Sequence, residues 1–300
     1  MVEDSPIRPR GRIGRGRFRG PENRRSGVRG TVRAMSDEIA DVLLVERRPG
    51  GVVVVTLNDP GRRNAMSDEM TAAWKAAITE LNADAQVRCV VLTGAGSAFS
   101  SGGDLSWLAD TNAVAVPALR DRMLAFYRTW LMIRDLEVPT IAAVNGHAVG
   151  AGLCLALACD LRYAASDAKL LAPFAALGLH PGMAATWLLP EVAGLPLARE
   201  MLLAGRVLTG EEAAGHGLVN RAVPRDDVLA EALTVAGRIA AQGPVATRLA
   251  KVALSNGGHC DAESALRWES LAQPVTMSSA DMLEGLAAQR EKRAPRFTGE

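Results

Sequence analysis

The sequence predicts an α/β fold with a helical C-terminal piece, on three observations. Short apolar runs of strand character alternate with helical patterns through residues 42–225. Two of those runs open into long loops of small residues, which lets backbone approach backbone. Beyond residue 226 the helical pattern continues alone. Three hundred residues, 48 % of them hydrophobic, are enough for one large domain with or without a small appendage. The expected division is a 1–35 Arg/Gly-rich extension, a 36–225 core and a 226–300 helical region.

Taken in order, the first 34 residues are rich in Arg and Gly and lack apolar periodicity, so they are expected to be disordered. Three readings stand open for them: an upstream stretch before a start at Met35, an Arg-rich targeting segment, or an RNA-contacting tail. Val42–Arg47 and Val52–Leu57 flank Pro49-Gly50-Gly51 and read as a hairpin. Ser67 caps a helix over 68–81, with acids in its first turn. A buried strand spans 87–93 and stops at Gly94-Ala95-Gly96-Ser97. Helical pattern returns at 116–135, then a strand at 140–144, a loop at 145–150 and a small-residue helix at 151–158. A strand at 160–164 follows. Helices are expected at 182–192, 196–203, 209–216 and 226–241, and again between Pro244 and Arg293.

Charge and composition exclude several functions. The whole chain carries +1, yet residues 1–34 carry +7, which leaves −6 on the body. A mildly acidic body offers no general face for nucleic acid. Cys89, Cys154, Cys159 and Cys260 show no CxxC pair and no zinc spacing, and they suit a reducing compartment, so a cytoplasmic location is expected. The uncharged run 141–159 contains Asn145, His147 and three glycines, and reads as strand, loop and helix instead of a membrane span.

The chemistry sits in two post-strand loops, 89–108 and 140–164. In the second, Gly150-Ala151-Gly152 opens a helix whose first N–H groups have no intrahelical acceptor. Two such donors, one from each loop, suit a carbonyl oxygen that develops negative charge. A dinucleotide loop is disfavoured, because the third glycine of GxGxxG would fall on Phe99 in one loop and Leu155 in the other.

The segments LNDPGRRNAMS (57–67), LTGAGSAFSSGGDL (92–105), PTIAAVNGHAVGAG (139–152), ACDLRYAA (158–165), LGLHPG (177–182) and GEEAAGHGLVNRAVP (210–224) follow one another in register. Together they resemble the crotonase superfamily, the enoyl-CoA hydratase/isomerase family, over about residues 42–293. The resemblance implies a crotonase-like spiral of ββα units with a C-terminal helical trimerisation region. It also implies an acyl-CoA or enoyl-CoA ligand, no other cofactor, no metal, and a homotrimer or a dimer of trimers. Carried onto this chain, the oxyanion donors are the amides of Gly103 and Ala151. Arg62 and Ala65 fall in the loop that lies along the CoA nucleotide. Ser101, Asp104, Leu105 and Trp107 line the same channel, with Cys154, Phe174 and Gly182 around the acyl group. Met123, Phe126 and Trp130 are acyl-pocket or core residues.

The resemblance puts two water-activating glutamates at positions that here hold Cys154 and Phe174. Each positioned acid or base supplies about 100- to 10,000-fold, so efficient hydration is not expected. Cys154, at a helix start, is a reactive thiolate or an inert buried thiol. His180 is a candidate acid or base, and Asp104 a channel group or a helix cap. His147 and His216 read as structural, and Glu191 and Asp110 could face the channel. Three functions stay open: an isomerase-like or other enolate enzyme on acyl-CoA, a non-catalytic acyl-CoA binder, or an RNA-associated protein acting through its tail.

Overall fold

The computed structural model describes residues 42–104, 114–255 and 261–300. The basic extension, the start at Met35, and Leu105, Trp107, Asp110 and Cys260 therefore lie outside the described residues. Two sheets organise the chain. The larger has six strands: β1 (Leu43–Arg48), β2 (Val52–Leu57), β3 (Cys89–Gly94), β5 (Thr140–Val144), β7 (Leu161–Ala165) and β10 (Arg221–Val223), side by side in that order. β1 and β2 form the antiparallel hairpin, and each later neighbour runs parallel. Every residue of β3 and β5 is buried, as expected for parallel strands covered on both faces.

The smaller sheet has four short strands: β4 (Ala98–Ser100), β6 (His147–Val149), β8 (Lys169–Leu171) and β9 (Leu208–Thr209). The sequence reading treats 97–103 and 145–150 as loops throughout. The structure corrects this, because three-residue strands are too short to show alternation. Each central strand of the first sheet continues into a strand of the second and then a helix. β3 and β4 lead to α2 (Val116–Leu131), β5 and β6 to α3 (Ala151–Ala158), and β7 and β8 to α4 (Ala185–Leu203). This repeat is the ββα spiral. Between β2 and β3, α1 (Asp68–Ala83) starts where Ser67 Oγ accepts the Met70 N–H at 3.2 Å. α4 is broken at Gly194 (φ 78°), which explains why the sequence shows two helices there.

A short helix, α5 (Gly210–Gly215), leads to β10, and α6 (Val228–Ala240) then packs on β3, β5 and β7. After it come α7 (Pro244–Ser255), α8 (Ala262–Met277) and α9 (Ala280–Glu291). The buried Lys251 of α7 ties this end to the sheet, 3.0 Å from Asp160 and 2.8 Å from the Val138 carbonyl. α8 has no buried residue. No helix among the described residues is long and apolar enough to cross a membrane.

Candidate functional site

The site forms where the chain leaves β4 and β6. These strands pair in parallel, so the loops that follow them lie together. Gly102 (φ 86°) is the contact point: a methyl group there would stand 2.6 Å from the Val149 carbonyl oxygen and 3.1 Å from the Ala151 nitrogen. Gly152 is equally confined, with a Cβ placed 2.5 Å from the Ser100 carbonyl oxygen. Only glycine lets the two backbones approach this closely.

Side chains hold the loops in place. Ser100 is buried; its hydroxyl donates to the Asn64 carbonyl at 2.8 Å and accepts from the Gly102 N–H at 3.1 Å. Asn64 is fully buried at φ 55°, a conformation asparagine tolerates. Its Nδ2 faces the carbonyls of Ala95, Ala98 and Phe99 at 2.9, 2.8 and 3.2 Å, and its Oδ1 accepts the Asp59 N–H at 2.9 Å. The Ser101 amide donates to the Arg63 carbonyl at 2.9 Å. The 59–65 loop is thereby fastened to the loop carrying Gly103. Asn64 is absent from the candidates read from sequence, although its place beside a turn is the signal that marks it.

Gly103 and Ala151 both line one cavity of about 1100 Å³. Ala151 is the first residue of α3, so its N–H has no intrahelical acceptor. Among the described residues no hydrogen bond uses either amide. Arg62, Ala65, Ser101, Asp104, Phe174, His180 and Gly182 also line the cavity. Met123 and Phe126 of α2 complete an apolar wall with Leu177 and Leu179. Among the described lining residues the carboxylates are Asp68 and Asp104. Arg62 Nε pairs with Asp59 Oδ2 at 2.6 Å. His180 Nδ1 lies 2.8 Å from the Pro181 carbonyl, which only accepts, so that nitrogen carries the proton.

One expectation needs correction. Cys154 does not line the cavity: it is 1 % exposed, with Sγ 3.7 Å from the Gly182 carbonyl. Burial pushes its thiol up to about 12, so it is no thiolate base at neutral pH. The cause is α3 itself, which is buried on all its faces apart from its first residue. Trp130 is core: it stacks on Trp74 at 5.0 Å and donates its Nε1–H to Thr71 Oγ1 at 3.0 Å. Phe174 does line the cavity, with its ring 3.8 Å from where a Gly150 Cβ would stand. His147 Nδ1 accepts the Lys169 N–H at 3.0 Å, and His216 Nε2 lies 3.1 Å from Arg206. Glu191 is exposed on α4 and outside the lining.

Among the lining residues that the sequence reading did not single out is a tyrosine. Tyr127, next to Phe126 and one turn past Met123, presents its hydroxyl 2.5 Å from where a Gly182 Cβ would be. Burial holds this phenol above its ordinary pKa. Its spacing on α2 was available as a signal, but it falls on the same apolar stripe as its neighbours.

Residues 47–300 match the family described as enoyl-CoA hydratase/isomerase. The probable enoyl-CoA hydratase echA8 of Mycobacterium tuberculosis is 37 % identical over 259 residues, 86 % of this chain and 98 % of that protein. The mitochondrial methylglutaconyl-CoA hydratase of Mus musculus is 36 % identical over 261 residues, 85 % of this chain and 82 % of that one. The crystal structure of an enoyl-CoA hydratase from Bacillus anthracis superposes with a TM-score of 0.81 at 36 % identity, covering 86 % of this chain and all of that one. With the ββα spiral and the paired post-strand loops in place, the chain belongs to the enoyl-CoA hydratase/isomerase family, within the crotonase superfamily.

Proposed function

We propose that this protein binds the CoA thioester of an apolar acyl chain, with the thioester oxygen between the Gly103 and Ala151 amides. It works by enolate chemistry of the isomerase kind in fatty-acid and acyl-CoA metabolism, not by efficient hydration. The observation that carries this reading is that two amides without acceptors open on one cavity from backbones pressed together at Gly102. Fixed donors of this kind favour the charge that builds on oxygen as a proton leaves the α carbon, and losing one costs about 100- to 1,000-fold in rate. In this reading Arg62 and Ala65, which line the cavity, run along the nucleotide end, with Ser101 and Asp104 of the same lining beside it. His180, with Nδ1 engaged and Nε2 left to accept, is the proton carrier in this reading. Hydration needs a polarised water, and Cys154 and Phe174 offer none at the positions where the resemblance expects carboxylates.

The reading includes a homo-oligomer, trimer or dimer of trimers, supported by the exposed Leu266, Leu271 and Val275 of α8. It calls on no cofactor beyond the CoA thioester, and it places the chain in the cytoplasm, in keeping with the free thiols of Cys89, Cys154 and Cys159.

The test is a turnover panel of enoyl-, dienoyl- and hydroxyacyl-CoAs, with His180→Ala and Cys154→Ala. Double-bond migration that falls with His180→Ala and survives Cys154→Ala supports the reading. Crotonyl-CoA hydration at ordinary hydratase rates would overturn it. A second reading, a non-catalytic acyl-CoA binder, is favoured by the Phe174 ring lying against Gly150. Tight ester binding without product from any substrate would select it.

A further inference from the structure

Among the described residues the Tyr127 hydroxyl is a hydrogen-bond donor without a partner, although Trp130, one turn further along α2, has a partner for its indole N–H. Tyr127 lines the cavity that holds Gly103 and Ala151, and its oxygen lies against Gly182. Gly182 in turn touches Cys154, three residues past Ala151. In the acyl-CoA reading, this is the part of the cavity that receives the acyl chain just beyond the thioester. Met123, Phe126, Phe174, Leu177 and Leu179 make most of that lining apolar, with Arg122 and His180 as its other polar side chains.

A polar group in such a wall has a consequence. A plain hydrocarbon chain strips water from the phenol and returns no hydrogen bond, which is unfavourable. A chain carrying an oxygen restores the bond. We propose that Tyr127 is a specificity residue whose hydroxyl donates to an oxygen on the acyl chain, so that the cavity takes oxygenated acyl thioesters in preference to plain ones. A phenol is protonated at neutral pH, as a donor must be, and burial acts in the same direction. The proposal rests on the acyl-CoA reading given above.

Calorimetric titration of the full chain with decanoyl-CoA and with its 3-hydroxy and 5-hydroxy forms tests it, using wild type and Tyr127→Phe. Wild type should bind at least one hydroxylated ester about 10-fold more tightly than decanoyl-CoA, the worth of one net hydrogen bond. Tyr127→Phe should abolish that preference and leave decanoyl-CoA binding unchanged or slightly tighter. The proposal is overturned if wild type shows no preference, if Tyr127→Phe keeps it, or if the variant weakens every ester alike. If no CoA ester binds wild type, the acyl-CoA reading fails first and takes this one with it. Binding of decanoyl-CoA without preference leaves the broader reading standing alone.

Discussion

The cavity has two sides made of different material. Around Gly102, Gly103 and Ala151 the working groups are backbone amides, placed by strand pairing, by Asn64 and by glycines with no room for a methyl group. Around Cys154, Phe174 and Tyr127 the groups in play are side chains, one of them sealed from the cavity. A backbone donor persists as long as the chain path does, whatever side chain the residue carries. Acid–base chemistry depends on individual side chains and disappears with one substitution. A family can thus retain its carbonyl grip while changing the reaction that the grip serves.

The sharpest way to break this contrast is to rewrite the side-chain half alone. Cys154→Glu with Phe174→Glu should raise crotonyl-CoA hydration at least about 100-fold over wild type, measured spectroscopically, if the backbone half is intact and only the acids are missing. No gain in a folded double variant would mean either that the side chain at 154 stays sealed from the cavity or that the grip itself is misplaced. The backbone half is probed by Gly102→Ala against Gly103→Ala. The first adds a Cβ 2.6 Å from a carbonyl oxygen at positive φ, and should cost about 3 kcal/mol in urea unfolding. The second meets nothing within 4 Å and should stay within about 0.5 kcal/mol of wild type. Equal losses would show that the tight approach at Gly102 does not hold the loops. Asn64→Ala removes a buried group that satisfies three carbonyls and one amide. It should cost about 2 kcal/mol by the same measurement.

The same division governs what the sequence could reveal. β2, β5 and α3 have the bounds that sequence reading assigns them, because an apolar run between turn residues marks its own ends. Ser67 announces α1 through its side chain. The second sheet was illegible: β4, β6 and β8 hold three residues each and exist only because their neighbours pair with them. In the site, small residues mark the two loops, while Gly103 and Ala151 are singled out within them by the family resemblance. The direction of Cys154 was hidden, because every neighbour in α3 is apolar and no periodicity tells one face from another. Tyr127 was hidden for the opposite reason, its spacing being that of a core stripe it only partly joins.

The buried thiols give the mildest test, and it concerns the side-chain half. Cys89, Cys154 and Cys159 are each pushed by burial from 9.0 up to about 12 in the folded chain. A raised folded value means that the folded state holds the proton longer than the unfolded state. The stability so contributed is complete below pH 9 and is lost as pH rises from 9 towards 12, because the unfolded chain releases those protons first. Urea unfolding free energy should therefore be insensitive to these thiols between pH 7 and 8.5 and fall above pH 9. Cys154→Ala removes one such proton, so its decline above pH 9 should be shallower by about 1.4 kcal/mol per pH unit. A variant whose slope matches wild type would mean that Cys154 already ionises in the folded protein. The thiol would then be open to the cavity, and the side-chain half would hold a nucleophile after all.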